Sequence, residues 1–221
     1  MKRQKKLIVF DLDGTLYELS GGSYEKSSLR SCVLKNAQNY IATKLTKNKS
    51  KALRILKKIQ KEYGEQISIG LEKEFGVDRY DYFNTVWDIP ARGIVKKEQG
   101  LRDTLLELRK KYNLALLSDA PQVWIYNVLQ ELKIQDIFRN NIFSGEGGQR
   151  KEFGNAFSGI TRVLKISPDN CIVVGDQEQT DIIPAKKFGM RAIYVHPKKK
   201  SNLADANIKS ICELPALLGH F

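Results

Sequence analysis

The sequence predicts an α/β protein with a parallel sheet, split after its first strand by an all-helical insertion. Three observations predict it. Short apolar runs without alternation recur along the chain, as strands buried on both faces do. From residue 101 onward, segments of helical period separate these runs, which is the pattern of crossover connections in a parallel sheet. Between the first and second runs, residues 18 to 95 show helical period with no strand-like run.

The first run is Leu7-Ile8-Val9-Phe10, bounded by Lys5-Lys6 and ending in Asp11-Leu12-Asp13-Gly14-Thr15. Gly21-Gly22 mark a turn. Val33, Ala37, Tyr40, Ile41 and Leu45 then form one apolar stripe. Ala52, Leu56, Ile59 and Tyr63 form a second, with Ser50 as its N-cap. Ile67, Leu71 and Phe75 predict a third helix, and Tyr82, Phe83, Val86 and Trp87 a fourth. Pro90 and Gly93 mark the return. Leu101, Leu105, Leu108 and Tyr112 give an amphipathic helix before a strand at 114–117. Next come a helix near 122–132, a strand at Ile142-Phe143 and a helix near 155–164. The strand 171–174, a helix near 182–188 stopped by Gly189, the strand 192–195 and a short helix at 214–218 complete the chain. The expected organisation is an α/β core of residues 1–17 and 96–221 and a helical insertion of 18–95. An insertion at this point places a mobile lid over the end of the first strand.

A chain of 221 residues can bury a sizeable core without disulfides. Cys32, Cys171 and Cys212 are odd in number and widely spaced, which suits a reducing compartment and argues against a zinc site. His196 and His220 are too few for a histidine metal site. No apolar run approaches a membrane span, and only four apolar residues follow the basic start, against a signal peptide. A soluble, cytoplasmic protein is expected. The formal net charge of +12 is uneven: residues 26–61 hold eleven Lys or Arg and no Asp or Glu. Such a segment attracts anionic partners, although a solvated helix face is the plainer reading. Its single aromatic, Tyr40, and the lack of a nucleic-acid motif weigh against a nucleic-acid reader.

The chemistry-bearing residues fall where an open sheet presents its strand ends. Asp11 and Asp13 would repel each other, and a divalent cation is the simplest reason to keep both. Ser118 ends a strand ahead of Asp119-Ala120-Pro121; its hydroxyl and the nearby helix N–H groups suit a phosphate oxygen, and Ser118 or Asp119 suits an N-cap equally. Arg150-Lys151 follows the loop of Gly145 to Gly148, where a Lys would offset the carboxylates and a transferring phosphoryl group. Gly175-Asp176 follows the strand 171–174, with Asp176 placed as a metal ligand and Asp181 placed to bind metal through water or to hold Lys151.

Four such signals in this order resemble the haloacid dehalogenase superfamily of phosphohydrolases, in the branch with a helical cap. Asp11-Leu12-Asp13-Gly14-Thr15 matches the first motif and Ser118 the second. Lys151, with Phe157 six residues on, matches the third, and Gly175-Asp176 through Asp181 the fourth. The resemblance implies a Rossmann-like core and Mg²⁺ held by Asp11, the Asp13 backbone carbonyl and Asp176. It implies Asp11 as nucleophile forming an aspartyl-phosphate, Asp13 as general acid and base, and Lys151 stabilising the phosphoryl group. Ser118, Asp119, Gly14 and Thr15 would bind phosphate. Two departures stand out: Asp119 where the family usually has Asn, and Arg150-Lys151-Glu152 where it usually has Gly-Lys-Pro. The second leaves open which of Arg150 and Lys151 enters the site. Asp13 argues against the family's dehalogenases, which lack a second Asp. A phosphomutase shares the core, and a phosphonatase would need a cap lysine. The expected partner is a small phosphorylated metabolite such as a nucleotide or sugar phosphate. Tyr17, Ser23, Tyr24, Tyr82 and Trp87 are candidates for selecting it, Tyr82 and Trp87 suiting a helical core equally. An anionic macromolecule at residues 26–61 is the competing partner. Oligomeric state is not legible.

Overall fold

The computed structural model describes residues 5–147, 150, 151 and 155–219. Gly148, Glu152 and His220 lie outside the described residues. The chain divides into two compact units, one of Met1–Leu19 with Val95–Phe221 and one of Ser20–Ile94.

In the first unit a parallel sheet forms because its strands are apolar on both faces. Among the described residues it has six strands: β1 (Leu7–Phe10), β2 (Asn113–Ser118), β3 (Ile142–Ser144), β4 (Cys171–Gly175), β5 (Arg191–Val195) and β6 (Ala206–Ile208). Their order is β3-β2-β1-β4-β5-β6. β1 pairs with β2 from Leu7 opposite Asn113 to Phe10 opposite Leu116, and with β4 from Leu7 opposite Cys171 to Phe10 opposite Val174. Alternate side chains go to opposite faces. Leu7, Val9, Ala115, Leu117, Cys171, Val173 and Ala192 pack with Phe157 and Ile160 of α8 (Asn155–Leu164). From the other face Phe10 meets Phe138 edge-on, at a centroid distance of 6.1 Å.

The helices α5 (Leu101–Lys111), α6 (Gln122–Leu132), α9 (Ile183–Lys187) and α10 (Leu214–Leu218) occupy the periodic segments. Tyr112 lies past the end of α5 in extended backbone. Pro121 is the residue before α6 rather than within its first turn, and Glu146 serves the helix start by accepting the Gln122 N–H at 2.8 Å. The expected helix near 182–188 begins earlier, as a π-type turn at Glu178–Ile182. Two short elements carry no periodic signal and escaped the sequence reading: α7 (Gln135–Phe138) and β6.

The second unit is helical: α1 (Ser28–Ile41), α2 (Lys49–Tyr63), α3 (Ile67–Phe75) and α4 (Arg79–Val86). Its core is Leu29, Val33, Ala37, Tyr40, Ile41, Ala52, Leu56, Ile59, Ile67, Leu71, Tyr82, Phe83 and Val86, all buried. Asn48, not Ser50, caps α2, accepting the Lys51 N–H at 3.0 Å. The Asn48 amide oxygen reaches the third N–H of the helix, the usual N-cap geometry. Gly70 lets α3 close on α2, since a Cβ there would sit 2.7 Å from Ile59 and from Tyr63. Tyr82 lies edge-on to Tyr40 in this core, and Trp87 stacks on Tyr24. Among the described residues no helix is long and apolar enough to cross a membrane.

Candidate active site

The sheet order reverses between β1 and β4, and open α/β sheets bind ligands beyond the strand ends at such a point. Asp11 leaves β1 there, its N–H bonded to the Val174 carbonyl at 2.9 Å. The residue is only 5% exposed. Its Oδ1 accepts from Lys151 Nζ at 2.6 Å and its Oδ2 from the Thr15 hydroxyl at 3.1 Å. Lys151 Nζ also donates to Asp181 Oδ1 at 2.6 Å, and Asp181 Oδ2 accepts the Gln177 N–H at 3.0 Å. Lys151 and Asp181 are both buried.

Two glycines make this density possible. Gly14 has φ +93°, and a Cβ on it would lie 2.3 Å from Asp176 Oδ2. A Cβ on Gly175 would lie 2.3 Å from Asp181 Cγ. Each glycine thus seats a carboxylate, including Gly14, which the resemblance made a phosphate-binding position.

Asp13 is held by neutral donors. The Tyr17 hydroxyl and the Trp124 indole N–H, the latter at 2.8 Å, both donate to Oδ1, and the Ser118 hydroxyl lies 3.5 Å from Oδ2. Ser118 Oγ also accepts the Ala120 N–H at 3.1 Å. Asp119 faces the third motif: its Oδ1 accepts the Lys151 N–H at 3.0 Å, and its Oδ2 lies 3.9 Å from the Arg150 guanidinium. The two departures from the family pattern therefore meet, an acid facing a base. Of that pair, Lys151 is the residue whose side chain reaches Asp11.

The electrostatics follow from burial. Burial, then the charges of Asp11 and Asp181, push Asp176 up to about 8. Burial and Asp11 push Asp13 up to about 6 against the opposing Trp124 and Tyr17 hydrogen bonds. Burial also raises Asp181 to about 6, with Lys151 pulling the other way. For Lys151 burial favours the neutral amine, but Asp11, Asp181 and Asp119 outweigh it and hold the ammonium charged.

Asp11, Asp176 and Asp181 each bring a carboxylate oxygen within 4.8 Å of the other two. Asp176 Oδ1 is buried and accepts no hydrogen bond among the described residues. A buried carboxylate oxygen without a donor, in an all-oxygen set facing one ammonium, fits a hard divalent cation such as Mg²⁺.

The structure thus brings together Asp11, Asp13, Gly14, Thr15, Ser118, Asp119, Lys151, Asp176 and Asp181. Thr15 spends its hydroxyl on Asp11, and Gly14 its N–H on the Tyr17 carbonyl at 3.1 Å. Tyr17, considered above as a substrate selector, is buried with its hydroxyl on Asp13. Trp124 escaped the sequence reading because its place on α6 has the same periodicity as Val128 and other core positions. Glu146 escaped because a loop acid carries no sign of the helix it serves.

Comparison with known proteins bears on the family and the fold. A profile of the haloacid dehalogenase-like hydrolases matches residues 5–189. The chain is 28% identical to the glyceraldehyde 3-phosphate phosphatase of Pyrococcus furiosus, over 98% of this chain and 92% of that one. The N-acylneuraminate-9-phosphatase of Homo sapiens is 28% identical over 54% of this chain and 51% of its own length. A HAD phosphatase from Thermococcus onnurineus superposes with a TM-score of 0.67 at 20% identity, covering 97% of this chain and 98% of that one. A 2-haloacid dehalogenase from Pseudomonas syringae gives the same score at 22% identity, over 98% and 99%. At these identities the structural likeness speaks for the fold. The profile covers most of the chain, and the chain belongs to the haloacid dehalogenase-like hydrolase family.

Proposed function

We propose that this hydrolase is a phosphoric monoester hydrolase acting on a small sugar phosphate or related phosphometabolite through an aspartyl-phosphate. The observation that carries the reading is Lys151 Nζ set 2.6 Å from both Asp11 and Asp181, beside an Asp176 oxygen with no donor. A phosphoryl group needs its oxygens neutralised, and this constellation has one ammonium and room in its chemistry for a dication.

Asp11, Asp176 and the Asp13 carbonyl would hold Mg²⁺, which when bound neutralises phosphoryl oxygens. The remaining roles belong to side chains. Asp181 and Asp119 hold Lys151 in place, and Lys151 in turn orients Asp11 and faces the transferring group. Asp11 attacks phosphorus in line. Asp13, whose carboxyl is pushed up to about 6 by burial and the neighbouring Asp11 charge, protonates the leaving alcohol and later deprotonates the attacking water. Ser118 faces the same space.

The relatives support the substrate class by their names, glyceraldehyde 3-phosphate phosphatase and N-acylneuraminate-9-phosphatase. The test is phosphate release from an aryl phosphate and from these two phosphosugars, with Mg²⁺ and with EDTA, on wild type and Asp11→Asn. Mg²⁺-dependent release that falls at least about 10³-fold in Asp11→Asn is expected. A near wild-type rate in the variant overturns the nucleophile assignment.

A further inference from the structure

Asp13 is gripped from one side. Its Oδ1 accepts from the Tyr17 hydroxyl and from Trp124 Nε1–H at 2.8 Å, while its Oδ2 faces the Ser118 hydroxyl at the longer distance of 3.5 Å. An indole N–H is a donor only, so Oδ1 has to act as an acceptor toward it. With a second donor on the same oxygen, both of its in-plane lone-pair directions are taken.

The geometry points to Tyr17 and Trp124 as positioning residues that fix Asp13 so that Oδ2 alone gives and takes the catalytic proton. The inference rests on the phosphatase reading and adds to it which oxygen works and what aims it. As the ester P–O bond breaks, its electron pair passes to the alcohol oxygen, which takes the proton from Oδ2, while an Asp11 oxygen forms the new bond to phosphorus. Water then bonds to phosphorus and its proton passes to Oδ2. The Asp11–phosphorus bond breaks, releasing phosphate and restoring both carboxyl groups.

The fold explains why these two side chains can aim a carboxylate so closely. Trp124 is fully buried in α6, and Tyr17 is 3% exposed on the turn closed by the Gly14 N–H. Neither ring has room to swing, so the two donors converge on one point. The motif pattern assigns neither residue a part in the chemistry: Tyr17 is there a candidate for selecting the substrate, and Trp124 has the periodicity of helix core.

The measurement is the dependence of kcat on the leaving group. A phenol with a low pKa departs without a proton, whereas an alkyl alcohol needs one. Tyr17→Phe, which removes one oxygen, is expected to lose about tenfold or more in kcat on an alkyl phosphate and less than about threefold on an aryl phosphate, with KM little changed. Asp13→Asn gives the same selectivity in a deeper form. Trp124→Phe should follow Tyr17→Phe, but it empties part of the core, so Tyr17→Phe is the deciding variant. Equal losses on both esters, or none, overturn the inference and leave the phosphatase reading standing. A wild type that hydrolyses neither ester while Asp11→Asn is equally silent overturns the phosphatase reading and this inference with it.

Discussion

Beyond the ends of β1 and β4, three carboxylates lie within 4.8 Å of one another; along residues 26–61, eleven cations run with no acid among them. Both are clusters of one sign, and the protein treats them differently. Asp11 and Asp181 are buried and Asp176 is half-buried, where the interaction between charges is strong and a counter-charge has to be supplied at a fixed place. Lys151 supplies it at 2.6 Å, and glycines at 14 and 175 give the acids room. The cations, all but the half-buried Arg30, sit on exposed positions where water and salt do the screening. A few are paired, Arg30 with Glu65, Lys44 with Asp81 and Lys58 with Glu74, and α2 has no acid in its first turn. Clustered charge points to chemistry where the surroundings are organised around it, and charge count alone does not.

The harshest way to break the buried cluster is to remove its cation. Lys151→Met should lower kcat by about 10²–10³, the cost of deleting one preorganised donor to a developing anion. A variant within threefold of wild type would show that Lys151 is a structural counter-ion only. Gly175→Ala comes next. Its Cβ would lie 2.3 Å from Asp181 Cγ, so Asp181 has to move off Lys151 and the Gln177 N–H. Overpacking of this kind costs about 1–3 kcal/mol, and a loss of about tenfold in kcat with a lower Tm is expected. An unaltered kcat means the Lys151–Asp181 contact has no part in aiming Lys151.

The same cluster predicts how stability depends on pH. Asp13, Asp176 and Asp181 have folded-state values of about 6, about 8 and about 6, above the usual 3.8. Raised carboxyls bind protons better in the folded state. The stability they contribute is present below about pH 4 and is lost as pH rises through about 6 to 8. In EDTA, Tm should therefore fall between pH 5 and pH 8. His196, lowered by burial and then by Lys199, pushes the other way, but it is only partly buried and its effect is screened. Adding Mg²⁺ should restore Tm, most at pH 8, where the carboxylates are charged. A thermal scan in which Mg²⁺ stabilises no more at pH 8 than at pH 5 would contradict the carboxylate cluster as the metal site.

Much of this was legible in the sequence. The unalternating apolar runs gave the strands, because burial on both faces leaves no other pattern, and the strand-end acids gave the site. The helical insertion was visible as period, but its second N-cap was misplaced: Ser50 and Asn48 are both good caps, and only backbone geometry separates them. β6 and α7 were invisible because three or four residues carry no period, and tertiary contacts make them. The choice of Lys151 over Arg150 depended on which side chain the chain direction turns inward. Trp124 is the instructive omission. A buried aromatic on a helix looks identical in sequence whether its N–H is idle or holds a carboxylate of the candidate site, so its part emerges only from the 2.8 Å contact.

The exposed cluster gives the smallest predicted effect and the sharpest contrast. Arg54, Lys57 and Lys61 recur at spacings of three and four along the exposed side of α2, so they repel one another through solvent without touching the core. Replacing all three with Gln should leave kcat on a small phosphate ester unchanged and Tm equal or slightly higher. The field of the protein is the one property that changes. For a doubly charged substrate, kcat/KM should fall modestly at low ionic strength and converge on wild type as salt rises, because the Debye length shrinks to about 3 Å at 1 M. A drop in kcat, or a difference in kcat/KM that survives high salt, would mean these cations make a defined contact and belong with Lys151 rather than apart from it.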